Sequence, residues 1–219
     1  MSETAGTLSP RTPVVVATHN AHKVEEIART LKPLVGSRFE LCTYDGPEPV
    51  EDGDTFEANA LIKARAAFEH TGLASLADDS GIVVTALDGA PGIRSARYSP
   101  EGTDASNRDL LLANLGDAVD RSAKFVCVVA LVTDEYEITV RGEWAGSITS
   151  EVRGSGGFGY DPIFVPAGDT VTAAELSPLE KLALSHRGRA LGLIAPHMLR
   201  VIPSDSLPAM NPENAAAAE

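Results

Sequence analysis

Positive charge is what this 219-residue chain has least of relative to its acids: 18 Lys and Arg stand against 31 Asp and Glu, a formal net charge of -13. That balance argues against nonspecific binding to nucleic acid or to an anionic membrane surface. It leaves room for a small anionic ligand, because local lysines and a divalent cation override the global field. Cysteine is scarce as well. Cys42 and Cys127 both fall in strand-like runs and read as buried thiols rather than as a staple. Long hydrophobic runs are missing, and the longest, Phe125 to Val132, is too short to span a bilayer. The N-terminus shows no basic segment followed by an apolar core, so no secretory signal is read and a cytoplasmic location is expected.

What is present suffices for a folded domain. Hydrophobic content of 43% and charged content of 22% are those of a soluble protein, and the length suits one domain or two lobes around a cleft. Residues 1–12 are polar without periodicity and are expected to be a flexible leader; 203–219, rich in Pro, Asn and Ala, are expected to be a flexible tail. Residues 13–202 read as a single two-lobed domain with no repeat. Val14 to Ala17 predicts a strand, and Asn20 caps a helix whose Val24, Ile27, Ala28 and Leu31 recur at helical spacing. Further strands are predicted at Phe39 to Thr43, Leu73 to Ala77 and Ile82 to Ala86, and a long hairpin at Ser122 to Thr133 and Glu137 to Ile148. Asp54 with Glu57 predicts a capping box opening a helix to about His70; other helices are expected at Asp104 to Leu115 and Pro178 to about Arg200, the last broken at Gly188 or Gly192. Strands alternating early with helices and pairing later predict an α/β fold: a mixed twisted sheet flanked by helices, two lobes around a central cleft.

Five segments carry chemistry. In Ala77-Asp78-Asp79-Ser80-Gly81 two carboxylates stand at the expected break between strands, and alternation lets only one face a given cleft. There a carboxylate binds a hard cation or orients a water; a solvated turn is the plain alternative. Thr18-His19-Asn20-Ala21-His22-Lys23 sits at a strand-to-helix junction, where free amides, the helix dipole and a lysine suit a polyphosphate. Glu51 lies in an acidic turn before a helix on which Asn59 and Lys63 share a face. Glu51 with Asp79 would suit Mg²⁺, which takes few protein carboxylates, and Lys63 would neutralise phosphate charge beyond the metal.

Gly154 to Gly159 matches G-x-G-x-x-G letter for letter, yet it runs into Tyr160-Asp161-Pro162 and a strand instead of opening a helix, so a nicotinamide site is rejected. The loop instead presents Phe158, Tyr160 and Asp161, rings to stack on a base and a carboxylate to accept from it. Ser177 and Pro178 start a helix carrying Lys181, with His186 and Arg187 near its end. Arg187 has donors only and suits a carbonyl on a base, or else the dipole of the helix end.

Together these segments, with Ala90 to Tyr98, closely resemble the inosine triphosphate pyrophosphatase family, the dITP/XTP pyrophosphatases, over roughly residues 13 to 201. The resemblance implies Mg²⁺-dependent hydrolysis of ITP, dITP and XTP to the monophosphate and pyrophosphate, in a cleft of a homodimer. By position it implies triphosphate against Thr18, His19, Asn20, Ala21, His22, Lys23 and Lys63, and Mg²⁺ on Glu51 and Asp79, with Asp79 the proton acceptor. Ser80 is then a substrate contact, and Phe158, Gly159, Tyr160, Asp161, Lys181, His186 and Arg187 form the base pocket. Tyr160 stands where some relatives carry Trp. A nucleotide sensor without catalysis and a phosphatase releasing single phosphates are the rivals.

Overall fold

A computed structural model describes residues 11–203. The leader and tail expected at the two ends lie almost wholly outside the described residues. Thr12, expected to belong to the leader, is a buried strand residue, and its hydroxyl donates to Pro203 O at 3.3 Å.

The chain runs β1 (Thr12–Val16), α1 (Ala21–Val35), β2 (Phe39–Thr43), α2 (Phe56–Thr71), β3 (Ser75–Val84), α3 (Asp104–Leu115), β4 (Ser122–Val132), β5 (Glu137–Ile148), β6 (Phe164–Pro166), α4 (Pro178–Leu184) and α5 (His186–Val201). One six-stranded sheet has the order β2-β1-β3-β4-β5-β6, parallel from β2 to β3 and antiparallel from there to β6. The mixed α/β sheet is thus the expected one.

Both faces of its centre are covered, so the strands read as continuous apolar runs. Alternate residues serve different layers. Val14, Val16 and Leu76 pack with Ile27 and Leu31 of α1 and Ile194 and Met198 of α5. Val15, Ala17 and Ala77 pack with Ala60, Ala64 and Ala67 of α2, whose small side chains bring that helix close to the sheet. A third cluster joins Leu111 and Leu115 of α3 to Phe125, Trp144 and Phe164.

Three expectations are corrected. Asp78 to Gly81 is no break: β3 continues through both acids, paired residue for residue with β4, Asp79 opposite Val128 and Ser80 opposite Cys127. Thr55, not Asp54, caps α2, its hydroxyl accepting from Ala58 N at 3.1 Å. The last helical stretch breaks at Ser185, which closes α4 and caps α5, rather than at Gly188 or Gly192.

Candidate functional site

β1 gives β3 its last partner at Leu76, where Ala17 N donates to Leu76 O at 2.7 Å. Beyond that point the chain of β1 turns away into α1, and β3 at Asp79 to Gly81 is left facing a cleft of about 440 Å³. Side chains from both faces of the sheet reach this opening, because it lies where the sheet itself is split.

On one wall stands the start of α1. Asn20 Oδ1 accepts from His22 N at 3.0 Å and Lys23 N at 3.2 Å, and Thr18 Oγ1 accepts from Asn20 N. Asn20 therefore occupies two of the amides that an anion would use, and what it can still offer an anion is its Nδ2 group. His19 Nδ1 is 2.9 Å from Glu48 Oε1 across the mouth. Of the predicted anion segment, Ala21 and His22 do not line the cleft; the His22 ring is stacked on Phe158, with centroids 5.5 Å apart.

Alternation separates the two aspartates. Asp79 faces α2: Lys63 Nζ lies 3.4 Å from its Oδ1 and 3.3 Å from Glu51 Oε2, and Asn59 Nδ2 is 3.4 Å from its Oδ2. Burial raises the Asp79 pKa; Lys63 and Lys23 pull it back, Glu51 and Asp78 push it further, and the carboxyl ends above its ordinary value. For Lys63 burial works downward, but Asp79, Asp78 and Glu51 outweigh it and hold the ammonium charged. Asp78 faces α1 and α5. It is 1% exposed, 3.1 Å from Lys23 Nζ, and accepts from Arg187 Nε and Nη2 at 3.2 and 3.1 Å. Burial alone would raise its pKa; Lys23, Arg187 and Lys63 reverse that and hold it well below the carboxylate range. The neighbouring Cys127 thiol, 3.8 Å from Asp78, is pushed up to about 12 by burial and by that carboxylate.

On the opposite wall the glycine loop leads into a short 3₁₀ turn at Asp161–Ile163, with no helix of a dinucleotide fold behind it. Phe158 is half-buried, with Lys181 Nζ 4.6 Å and the Arg187 guanidinium 5.6 Å from its ring centre. Tyr160 lines the cleft, but it is 4% exposed and its hydroxyl donates to Ser95 O at 2.8 Å, so Phe158 is the more exposed of the two rings. Asp161 accepts from Lys181 Nζ at 2.7 Å and Phe158 N at 2.8 Å.

Arg187 is near the start of a helix and not near a C-terminal end. Because the break falls at Ser185, His186 and Arg187 open α5 and point into the cleft, both buried. Arg187 Nη1 donates to Glu26, and Nη2 also donates to Ser80 Oγ at 2.9 Å, so four of its five N–H groups are engaged. His186 stacks on Phe125 with centroids 4.7 Å apart, and its Nδ1 is buried without a hydrogen-bond partner.

All remaining predicted residues, Thr18, Ser80, Gly159, Lys181 and Glu51 among them, line the same cleft. Glu26 was not foreseen. It accepts from Lys181 Nζ at 2.9 Å as well as from Arg187, and these two cations outweigh burial to lower its pKa. The signal available was its place three residues after Lys23 on one helix face. Asp104 and Asn107 of α3 also line the cleft unforeseen. Among the described residues no three His, Cys, Asp or Glu are grouped to hold a metal ion. Two carboxylates, Glu51 and Asp79, do converge on one cation, the Lys63 ammonium, which is a donor set of the kind that Mg²⁺ accepts.

The Ham1 family profile matches residues 14–197. A dITP/XTP pyrophosphatase of Mycobacterium bovis is 54% identical over 192 residues, covering 84% of this chain and 94% of its own. One of Leifsonia xyli, with the same name, is 56% identical over 187 residues at the same coverage. Among solved structures, a HAM1 protein from Coxiella burnetii superposes with a TM-score of 0.79 at 41% identity, over 87% of this chain and all of that one. A nucleoside-triphosphatase, dITP/XTP pyrophosphatase, from Mycobacterium abscessus gives 0.70 at 49% identity, over 85% of this chain and all of that one.

Proposed function

The chain belongs to the Ham1 family, and on that premise we propose that it hydrolyses non-standard purine nucleoside triphosphates, ITP, dITP and XTP, to the monophosphate and pyrophosphate, keeping them out of DNA and RNA. The observation that carries this reading is the split of the cleft into two chemistries. Lys63, Glu51 and Asp79 form its first end and Phe158, His186, Lys181 and Arg187 its second, and the start of α1 flanks both, with His22 stacked on Phe158 and Lys23 paired with Asp78. Phosphates suit the first end and a purine the second.

Charge supports a metal at the phosphate end. Four cations, Lys23, Lys63, Lys181 and Arg187, face five carboxylates, Glu26, Glu51, Asp78, Asp79 and Asp161. A polyphosphate entering so balanced a site needs added positive charge. Glu51 and Asp79 would hold Mg²⁺, which when bound acidifies water and screens phosphate oxygens. Lys63, released from one carboxylate, turns to a phosphate. Asp79 would accept the proton of the attacking water, a transfer made feasible by the acidity that the metal would give that water. Asn20 Nδ2, Thr18 and Lys23 bind the terminal phosphates, with His19, Ala21 and His22 forming the rest of that turn.

At the base end Phe158 stacks, and the remaining Arg187 N–H together with His186 reads the 6-position. A donor aimed at a 6-oxo group is left unpaired by a 6-amino purine, which discriminates against ATP. Ser80, Gly159, Tyr160 and Asp161 complete the pocket wall. A homodimer in the cytoplasm is part of the same reading. The test is initial rates on ITP, dITP, XTP, ATP and GTP, with Mg²⁺ and after chelation. The expected result is at least about a hundredfold preference in kcat/KM for the 6-oxo, non-canonical purines over ATP, lost on chelation and restored by Mg²⁺. Equal rates on ATP and ITP contradict the base assignment, and full activity after chelation contradicts the metal.

A further inference from the structure

Gly159, which follows the stacking residue Phe158, has both of its backbone polar groups bound by side chains of α3. Its N–H donates to Asp104 Oδ2 at 2.7 Å, and its carbonyl accepts from Arg108 Nη1 at 2.7 Å. Asp104 and Arg108 are one helical turn apart, so a single face of α3 offers an acceptor and a donor to one peptide. An acid in a first turn ordinarily serves its own helix. Here that need is already met, because Thr103 and Ser106 form the capping box of α3.

The helix that provides this grip is itself firmly seated. Asn107 accepts from Ser99 N and Ser99 Oγ at 2.7 and 2.9 Å and donates to Ala96 O, while Leu111 and Leu115 lie in the core. Phe158, by contrast, meets the far wall only through ring and cation contacts with His22, Lys181 and Arg187, none of which fixes a plane tightly. Its peptide is tied at Asp161 and, through Gly159, at α3. Gly159 has φ +59, so its peptide orientation is one that the clamp must hold against an easily rotated backbone.

We propose that Asp104 and Arg108 are positioning residues that hold Phe158 over the purine, setting affinity for the base and not the rate of phosphate cleavage. The inference rests on the assignment of Phe158 to base stacking. It is tested with full-length Asp104→Ala, Asp104→Asn and Arg108→Ala. The readouts are kcat and KM for ITP, the inhibition constant of inorganic tripolyphosphate, which has no base, and hydrogen exchange of the 155–161 backbone.

Asp104→Ala and Arg108→Ala are expected to raise KM for ITP about five- to tenfold, as for the loss of one charge-assisted hydrogen bond, with kcat and the tripolyphosphate constant within about twofold. Asp104→Asn keeps an acceptor for Gly159 N–H and is expected to stay within about twofold of the parent throughout. Unchanged KM in both alanine variants overturns the proposal. So does an equal shift in tripolyphosphate binding, which marks general loosening, or an Asp104→Asn variant as impaired as Asp104→Ala. If the parent protein does not turn over ITP, the functional reading fails on its own. The clamp is then judged by exchange: a faster 155–161 segment in Asp104→Ala than in Asp104→Asn supports it, and equal exchange overturns it.

Discussion

His186 is buried at the start of α5 among Arg187, Lys181 and Lys23, and its imidazole is held neutral. Burial is the largest cause and the three cations add to it, against Asp78, so its pKa falls well below 6.5. The sign of the pH effect follows. In the unfolded chain this histidine takes up a proton near 6.5 and in the folded chain it does not, so stability rises with pH across that window and is lost on acidification below it. Chemical denaturation of the parent and of His186→Gln measures the contribution. Between about pH 7 and about pH 5.5 the parent is expected to lose about 1 kcal/mol more than the variant; parallel curves would mean that His186 titrates in the fold. Little of this residue-scale detail was legible beforehand. The sequence placed His186 and Arg187 in the site, but Glu26 and Asp78, which fix Arg187, get their partners only in three dimensions.

Elements were far more legible where one local rule governs them. β2 at Phe39–Thr43, α3 at Asp104–Leu115 and β5 at Glu137–Ile148 have the bounds that periodicity and turn residues imply. β3 was misread because acids, Ser and Gly signal a turn, whereas Lys23, Arg187 and Lys63 neutralise both aspartates inside a continuous strand. The α4–α5 break was misplaced because glycines drew attention from Ser185, whose hydroxyl caps α5. Contact between β5 and α5 was not legible at all. A Cβ on Gly142 would lie 2.1 Å from His186 O and 2.7 Å from Ala190 N, so only glycine lets the first turn of α5 approach the sheet. Gly142→Ala is expected to push His186 and Arg187 outward and lower the ITP-to-ATP ratio of kcat/KM by about tenfold or more. Gly146→Ala, with a similar clash against Val165 O at 2.3 Å, serves as the control for lost stability alone. An equal change of ratio in both variants would remove Gly142 from the site's construction.

At the scale of the molecule the sheet divides the work. Its parallel half ends β1 at the Thr18–Lys23 turn, and its antiparallel half carries Phe125 and, beyond β5, the loop of Phe158, so both halves line the cleft where β3 loses β1 as a neighbour. The fold class and the order of motifs along the chain were readable from the alternation of strands and helices. The opening in the sheet was not, since it depends on β1 being shorter than β3. The net charge of -13 extends into the cleft, where four inward cations face five carboxylates, so a nucleotide entering it calls for added positive charge. The most direct measurement is product identity: purified protein, ITP and Mg²⁺, with Asp79→Asn in parallel. IMP and pyrophosphate in equal amounts from the parent, with at least about a thousandfold lower kcat in the variant, is the predicted result. IDP and orthophosphate, tight binding without turnover, or an Asp79→Asn variant as active as the parent would contradict it.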